Sequence, residues 1–262
     1  MGECIAIANQ KGGVGKTTTC VNLAASLAAA NRRVLLVDLD PQGNATTGCG
    51  IDKESLERST CDVLLGDAKI QDVVVSVLDG RFSLLPANAE LTVAEVHLLR
   101  EHGRERRLRH LLEPVRGLYD YLLVDCPPTI NMLTLTALTA ADGALIPIQC
   151  EYYALEGLSA LLETVKQVRN TVNHSLQIKG LLRTMYDPRN KLANEVSAQL
   201  IKHFSDKVYT TVIPRNVRLA EAPSFGLPVL LHDRSSSGAK AYLALAAEFI
   251  AQELAPDKVG VA

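Results

Sequence analysis

The sequence predicts a doubly wound α/β fold, a mostly parallel sheet with helices on both faces. Three observations carry this. Short, β-branched apolar runs recur along the 262 residues, and their near-continuous hydrophobicity suits strands buried on both faces. Helical patterns separate these runs almost throughout, the alternation that builds a parallel sheet by crossovers. The first run ends in a glycine-rich turn that opens a helical pattern, as expected where ligands bind at the carboxyl ends of strands.

Taken in order, CIAIA (4–8) reads as the first strand and 16–30 as the first helix, followed by a strand in RVLLVDLD (33–40). Residues 44–81 are polar, with scattered glycines and weak periodicity, and read as loops and short helices over one side of the sheet. FSLLPA (82–87) is the next strand, then a helix over about 91–115 and a strand in YDYLLVDCPP (119–128). A helix at 131–141, a strand at 143–150, a helix at 153–173 and a strand at 178–186 continue the alternation. A helix at 190–204, a strand at 208–214 and a last helix over about 236–254 complete it. With no Pro-, Gly- or Ser-rich linker and no internal repeat, 1–262 reads as a single domain.

Composition bounds the function classes. At 47% hydrophobic and 21% charged residues the chain can bury a sizeable core and is not compositionally disordered. A net charge of −2 supplies no general attraction to nucleic acid or anionic lipid, so such a contact needs a local basic patch. Cys4, Cys20, Cys49, Cys61, Cys126 and Cys150 form no C-x-x-C pair and have no nearby His. They read as buried reduced thiols, with an iron–sulfur role for Cys126 or Cys150 as the sharper alternative. No secretory signal pattern and no apolar stretch of about 20 residues is present, which points to the cytoplasm.

Lys11-Gly12-Gly13-Val14-Gly15-Lys16-Thr17-Thr18 joins the first strand to the first helix. Glycines there let successive backbone N–H groups turn around phosphate oxygens, and the helix N-terminus adds positive potential. Lys16 is then placed to reach the outer phosphates and Thr17 to offer its hydroxyl to Mg²⁺. A plain tight turn would not need Lys-Thr-Thr directly after the glycines. Two standard patterns nevertheless fail: G-x-x-x-x-G-K-[ST] has Gln10 in place of its first glycine, and G-x-G-x-x-G ends on Thr18. Asp38 and Asp40 close the second strand, where alternation would put both on one side. Carboxylates there suit water positioning or Mg²⁺ held through its water shell, although Asp38 reads equally well as a loop or cap carboxylate. Asp125 ends the apolar run YLLV, where it can accept from a magnesium-bound water or from Thr17.

The loop K-G-G-x-G-K-T resembles that of the deviant Walker A family. Together with LLVDLDPQGNAT, YDYLLVDCPP, IPIQCEYYALEGL and TVIPRNVRLAEAPSFGLPV it makes the chain similar to ParA/Soj partitioning proteins from residue 3 to about 254. The resemblance implies ATP and Mg²⁺ as ligands and an ATPase that is slow without its partner. It implies that Lys11 reaches across an ATP-dependent homodimer to the partner's phosphates while Lys16 serves its own subunit. It assigns Asp40 to orienting the attacking water, with Asp38 nearby, and places Pro214 and Asn216 against adenine. Read alone, Lys11 fits a solvated loop and Pro214 a surface turn.

Two basic groups remain, Arg183, Arg189 and Lys191 in one and Arg215 and Arg218 in the other. Scattered arginines ordinarily form a solvated face, and no interleaved aromatics suggest base stacking. The resemblance implies ATP-dependent, non-specific binding of double-stranded DNA, with Arg189 and Arg218 as contacts, a nucleoid location and a ParB/Spo0J-type partner. The related MinD branch attaches to membrane through a C-terminal amphipathic helix, but AAEFIAQELAPDKVGVA carries no basic, Leu/Phe/Trp-faced anchor. The competing reading is a nucleotide-dependent scaffold that positions a protein cargo without touching DNA.

Overall fold

In a computed structural model, residues 1–100 and 102–254 are described. The first half runs β1 (Glu3–Ile7), α1 (Lys16–Ala29), β2 (Val34–Asp38), α2 (Asn44–Gly48), α3 (Thr60–Leu65), α4 (Ile70–Val73), β3 (Val75–Val77), β4 (Phe82–Leu85), α5 (Leu91–Leu98), α6 (Arg107–Arg116) and β5 (Tyr121–Asp125). The second half runs α7 (Met132–Ala140), β6 (Gly143–Gln149), α8 (Ala154–Thr171), β7 (Gln177–Tyr186), α9 (Lys191–Phe204), β8 (Val208–Pro214), α10 (Val217–Glu221), α11 (Val229–His232) and α12 (Ser237–Leu254). All eight strands join one sheet in the order β3-β4-β2-β5-β1-β6-β7-β8, parallel except for β3, which runs antiparallel to β4.

Alternating side chains of these strands feed two cores. Ala6, Leu35, Val37, Leu122 and Val124 pack with residues of α5 to α9 on one face. Ile5, Ile7, Leu36, Leu123 and Leu145 pack with residues of α1 and α12 on the other. Because both faces are covered, β2 and β5 are buried throughout and carry no polar alternation until their carboxyl ends, where Asp38 and Asp125 stand opposite each other in register. β1 lies centrally between β5 and β6. The chain leaves it toward β2 on one side, and β6, β7 and β8 are added on the other. That reversal opens a crevice at the carboxyl end of β1, the place where doubly wound sheets take ligands.

Three expectations are corrected. The helix expected over 91–115 is two helices, α5 and α6, separated by Gly103 at φ 68° and a single 3₁₀ turn, Arg104–Arg106. The segment 44–81 holds short helices as expected, but also β3, a fourth neighbour on the β2 side of the sheet. Arg183 is not a surface charge. It is 8% exposed and donates to Ser197 Oγ at 2.9 Å, to the Tyr209 carbonyl at 2.9 Å and to the Thr210 carbonyl at 3.1 Å, tying β7 to β8 and α9.

Candidate functional site

The turn after β1 has Gly13 at φ 72° and Gly15 at φ 87°, conformations that side-chain-bearing residues rarely adopt. A Cβ added at Gly13 would meet nothing within 4 Å, so the loop borders open space at that point. Gly15 begins α1 without any side-chain cap, leaving the helix's first N–H groups free for an anion. Asn9 braces the loop at its start: its Oδ1 accepts from Lys11 N at 3.0 Å and its Nδ2 donates to the Pro147 carbonyl at 2.7 Å.

A cavity of about 440 Å³ opens over this loop. Gly12, Gly13, Gly15, Lys16, Thr17 and Thr18 line it together with Asp40, Pro214 and Asn216. Val14 between the glycines is buried. Lys16 is only 6% exposed, and its Nζ donates to the Lys11 carbonyl at 3.1 Å. Burial pulls its ammonium below the usual range, with Asp125 the foremost charge opposing that shift. Lys11 is placed differently. Its side chain is 40% exposed, and its Nζ donates to Glu151 Oε2 at 2.5 Å, on the loop after β6.

Asp125 is fully buried at the end of β5, with Oδ1 accepting from Cys20 Sγ at 3.4 Å and Oδ2 lacking a hydrogen-bond partner. Burial first, then the Asp38 charge, push its pKa up to about 8, while the side chains of Thr17 and Cys20 oppose the shift. Asp40 Oδ1 accepts from Gln42 N at 3.0 Å.

The AAA domain family model matches residues 2–178. The sporulation initiation inhibitor protein Soj of Bacillus subtilis (strain 168) is 53% identical over 251 residues, covering 96% of this chain and 99% of its own. The chain belongs to the ParA/Soj family of partitioning ATPases. A second member, the chromosome partitioning protein ParA of Caulobacter vibrioides, is 51% identical over 95% of this chain and 94% of its own. Among solved structures, one described as cobyrinic acid a,c-diamide synthase from Mycobacterium smegmatis, with bound ATP analogue and magnesium, is 37% identical with a TM-score of 0.85, covering 97% of each chain.

In this ParA/Soj chain Asp38 does not face the cavity. Its Oδ2 accepts from Thr46 N at 2.8 Å and Thr46 Oγ1 at 2.7 Å, and its Oδ1 accepts from Asp40 N at 3.2 Å. β2 ends at Asp38, so strand alternation no longer aligns it with Asp40, and Asp38 instead caps α2, whose own N-cap Gly43 has no side chain. This favours its reading as a cap carboxylate over a place in a metal's water shell. Burial raises the Asp38 pKa to about 6 against those same hydrogen bonds. Asn216 lines the cavity but also caps α10, its Oδ1 accepting from Leu219 N at 3.3 Å while Nδ2 donates to Ser237 Oγ at 2.8 Å.

Tyr186 pairs in register with Pro214, so the loops after β7 and β8 leave the sheet side by side. Arg189 stands on the first and Arg218 in α10 beyond the second. Both guanidinium groups are held by carboxylates of this chain: Arg189 by Asp187 at 2.8 Å, Arg218 by Glu221 at 2.8 Å and Asp233 at 3.4 Å. Thr184, Met185, Arg215 and Tyr242 also line the cavity and had no assigned place in the site. Glu151 lies within the stretch IPIQCEYYALEGL, but nothing in its spacing announces a partner for Lys11. All six cysteines are buried free thiols, and burial pushes Cys4 up to about 12 and Cys150 up to about 11. No group of His, Cys, Asp and Glu among the described residues could hold a metal ion on its own.

The donor set nevertheless fits a magnesium ion that arrives with phosphates, because Asp125 Oδ2 is an orphaned buried oxygen close to Thr17. A testable consequence follows for the metal-free, nucleotide-free protein. Between 3.8 and about 8 the folded state keeps a proton on Asp125 that the unfolded chain has released, so stability falls as pH rises through that window. Asp125→Asn is expected to melt higher than the native protein at pH 8 without ligands, to lose that pH slope, and to lose magnesium-dependent nucleotide affinity. Thermal scans at pH 5 and pH 8, with and without Mg²⁺ and nucleotide, check all three.

Proposed function

We propose that the chain is one ATPase domain acting as an ATP-dependent dimerisation switch in chromosome or plasmid partitioning. The observation that carries the reading is the separation of the two lysines. Lys16 is buried and lines the cavity, whereas Lys11 is half-exposed, does not line it and is bound to Glu151, which leaves it available to a phosphate outside its own subunit. A cation delivered from a second copy stabilises charge spread over the transferred phosphoryl oxygens, as an arginine finger does.

In this reading the glycine N–H groups, the α1 N-terminus and Lys16 hold the ATP phosphates, with Thr18 beside them. Thr17 and Asp125 are the residues that would hold magnesium, the former by its hydroxyl and the latter through water. Bound there, the metal supplies charge neutralisation on the phosphate oxygens. Asp40 orients the attacking water, and Pro214 with Asn216 meets the adenine. Hydrolysis removes the phosphate that both subunits grip, so the ATP and ADP states differ in dimer affinity. Turnover without a partner is slow, and a ParB/Spo0J-type protein accelerates it.

The ATP dimer binds double-stranded DNA through phosphate contacts from Arg189 and Arg218, which keeps the protein in the cytoplasm on the nucleoid. Dimerisation joins two patches that are weak singly. The ion pairs that hold both arginines lie at the surface, where water and salt screen them, so DNA phosphates can displace them. The same pairs favour the second reading, cargo positioning without DNA, because they reduce the free positive charge of this edge. Substituting both arginines by glutamate decides between the two: DNA co-sedimentation is expected to fall to background with the ATP dimer intact, and unchanged DNA binding would sink the DNA assignment. No described helix is long and apolar enough to cross a membrane, and the stretch AAEFIAQELAPDKVGVA, read above for a membrane anchor, lies outside the described residues beyond residue 254.

A further inference from the structure

We infer that Thr184 is a positioning residue for the phosphate loop, acting on bound nucleotide through the carbonyl of Val14; the inference rests on the nucleotide reading above. Thr184 lies near the end of β7, 2% exposed, and its Oγ1 donates to the Val14 carbonyl at 2.8 Å across 170 residues of sequence. It also lines the cavity, and its Cβ and methyl carbon stand 3.9 Å from where a Gly15 side chain would begin.

A loop that turns its N–H groups toward phosphate oxygens must turn its carbonyls elsewhere, and a buried carbonyl needs a donor. Val14 sits between two left-handed glycines and is 1% exposed. The backbone ladder of α1 reaches back to the Gly15 carbonyl, through Thr19 N at 2.9 Å, one residue short of Val14. The Thr184 hydroxyl provides the missing donor. Without it, the Val14 carbonyl gains most by rotating toward the cavity, where it would face phosphate oxygens of its own sign and withdraw the adjoining N–H from them.

The hydroxyl is mounted on a fixed support. Thr184 pairs in register with Gln149 of β6, and the preceding Arg183 is bonded to β8 and α9. Met185 follows at φ 48°, an uncommon conformation for a side-chain-bearing residue, and the register of β7 against β8 shifts here, between Arg183 and Tyr186. Asn9 fixes the start of the phosphate loop to β6, and Thr184 fixes its tip to β7. Only the second bond depends on a hydroxyl, so it can be removed at nearly constant shape.

The test is calorimetric titration of ATP and ADP, with Mg²⁺, into the native protein, Thr184→Val, Thr184→Ser and Lys16→Ala, with melting curves of each in the absence of nucleotide. Thr184→Val is expected to bind both nucleotides about tenfold more weakly and to show a similar rise in KM for ATP. Thr184→Ser, which keeps the hydroxyl, is expected to restore native affinity. Thr184→Val binding ADP as the native protein does, while melting lower, would reduce the bond to fold stability and overturn the inference. Should Thr184→Val not fold, Thr184→Ala replaces it with the same two outcomes. A native protein that binds neither nucleotide better than Lys16→Ala would instead overturn the nucleotide reading, and this inference with it.

Discussion

Replacing Lys11 by alanine is expected to abolish ATP-dependent self-association while leaving ADP affinity of the single chain near its native value. Lys11 contributes its backbone carbonyl to Lys16 Nζ at 3.1 Å, and that contact survives truncation of its side chain. The side chain itself points to Glu151 and not into its own cavity. Each hydrogen bond between ionised groups is worth about 1.5–3 kcal/mol, and a two-fold dimer makes every contact twice. Losing both trans contacts therefore weakens association by about 100-fold to 10,000-fold. Release from Glu151 offsets little of this, since a half-exposed ion pair is worth about 0–1 kcal/mol. Light scattering with ATP and with ADP measures the effect, and normal dimers of Lys11→Ala would refute the trans role.

Asp40→Ala is expected to lower ATP turnover by at least about 100-fold, the size of effect seen when a positioned proton acceptor is removed. Nucleotide binding should persist, because the phosphate loop and Lys16 do not use this carboxylate for support. Asp40 is 7% exposed at the cavity wall, and the Gln42 N–H bond to its Oδ1 holds it on the loop after β2. With hydrolysis removed, the ATP-bound form is expected to accumulate and, on the proposed reading, to stay on DNA longer. Phosphate release under saturating ATP is the direct measurement. Turnover close to native would move the role to another group.

The parts of this account that were legible in the sequence are those written in short range. The phosphate loop could be read because glycines, lysine and threonine are adjacent along the chain, and the parallel sheet because its strands are apolar on both faces. β3 was missed although Val75-Ser76-Val77-Leu78-Asp79-Gly80-Arg81-Phe82 contains the Asp-Gly of a hairpin turn, with residues 78–80 all at positive φ. Three residues are too few for a periodic signal. The single helix expected over 91–115 follows from apolar residues in heptad phase at Leu91, Ala94, Leu98, Leu108, Leu112 and Val115, all of which are buried. The same phase falls on Glu101 and Glu105 in between, and Gly103 stands there too, which is the signal that two helices share one core.

Thr184 and Glu151 were out of reach for a different reason. Each acts across more than a hundred residues, on Val14 and Lys11 respectively, and only the neighbourhood of β1, β6 and β7 in the sheet brings them to the loop. Asp38 shows the converse limit: a carboxylate two residues from Asp40 looks catalytic by spacing, yet the strand ends under it and its oxygens go to Thr46.

The most direct test of the switch is the mass of the purified protein by light scattering, paired with DNA co-sedimentation, in ATP, ADP and no nucleotide at low and raised salt. The expected result is a dimer with ATP alone, DNA binding that follows the dimer, and loss of that binding as salt rises. A protein that stays monomeric with ATP, or binds DNA equally in all three conditions, would contradict it.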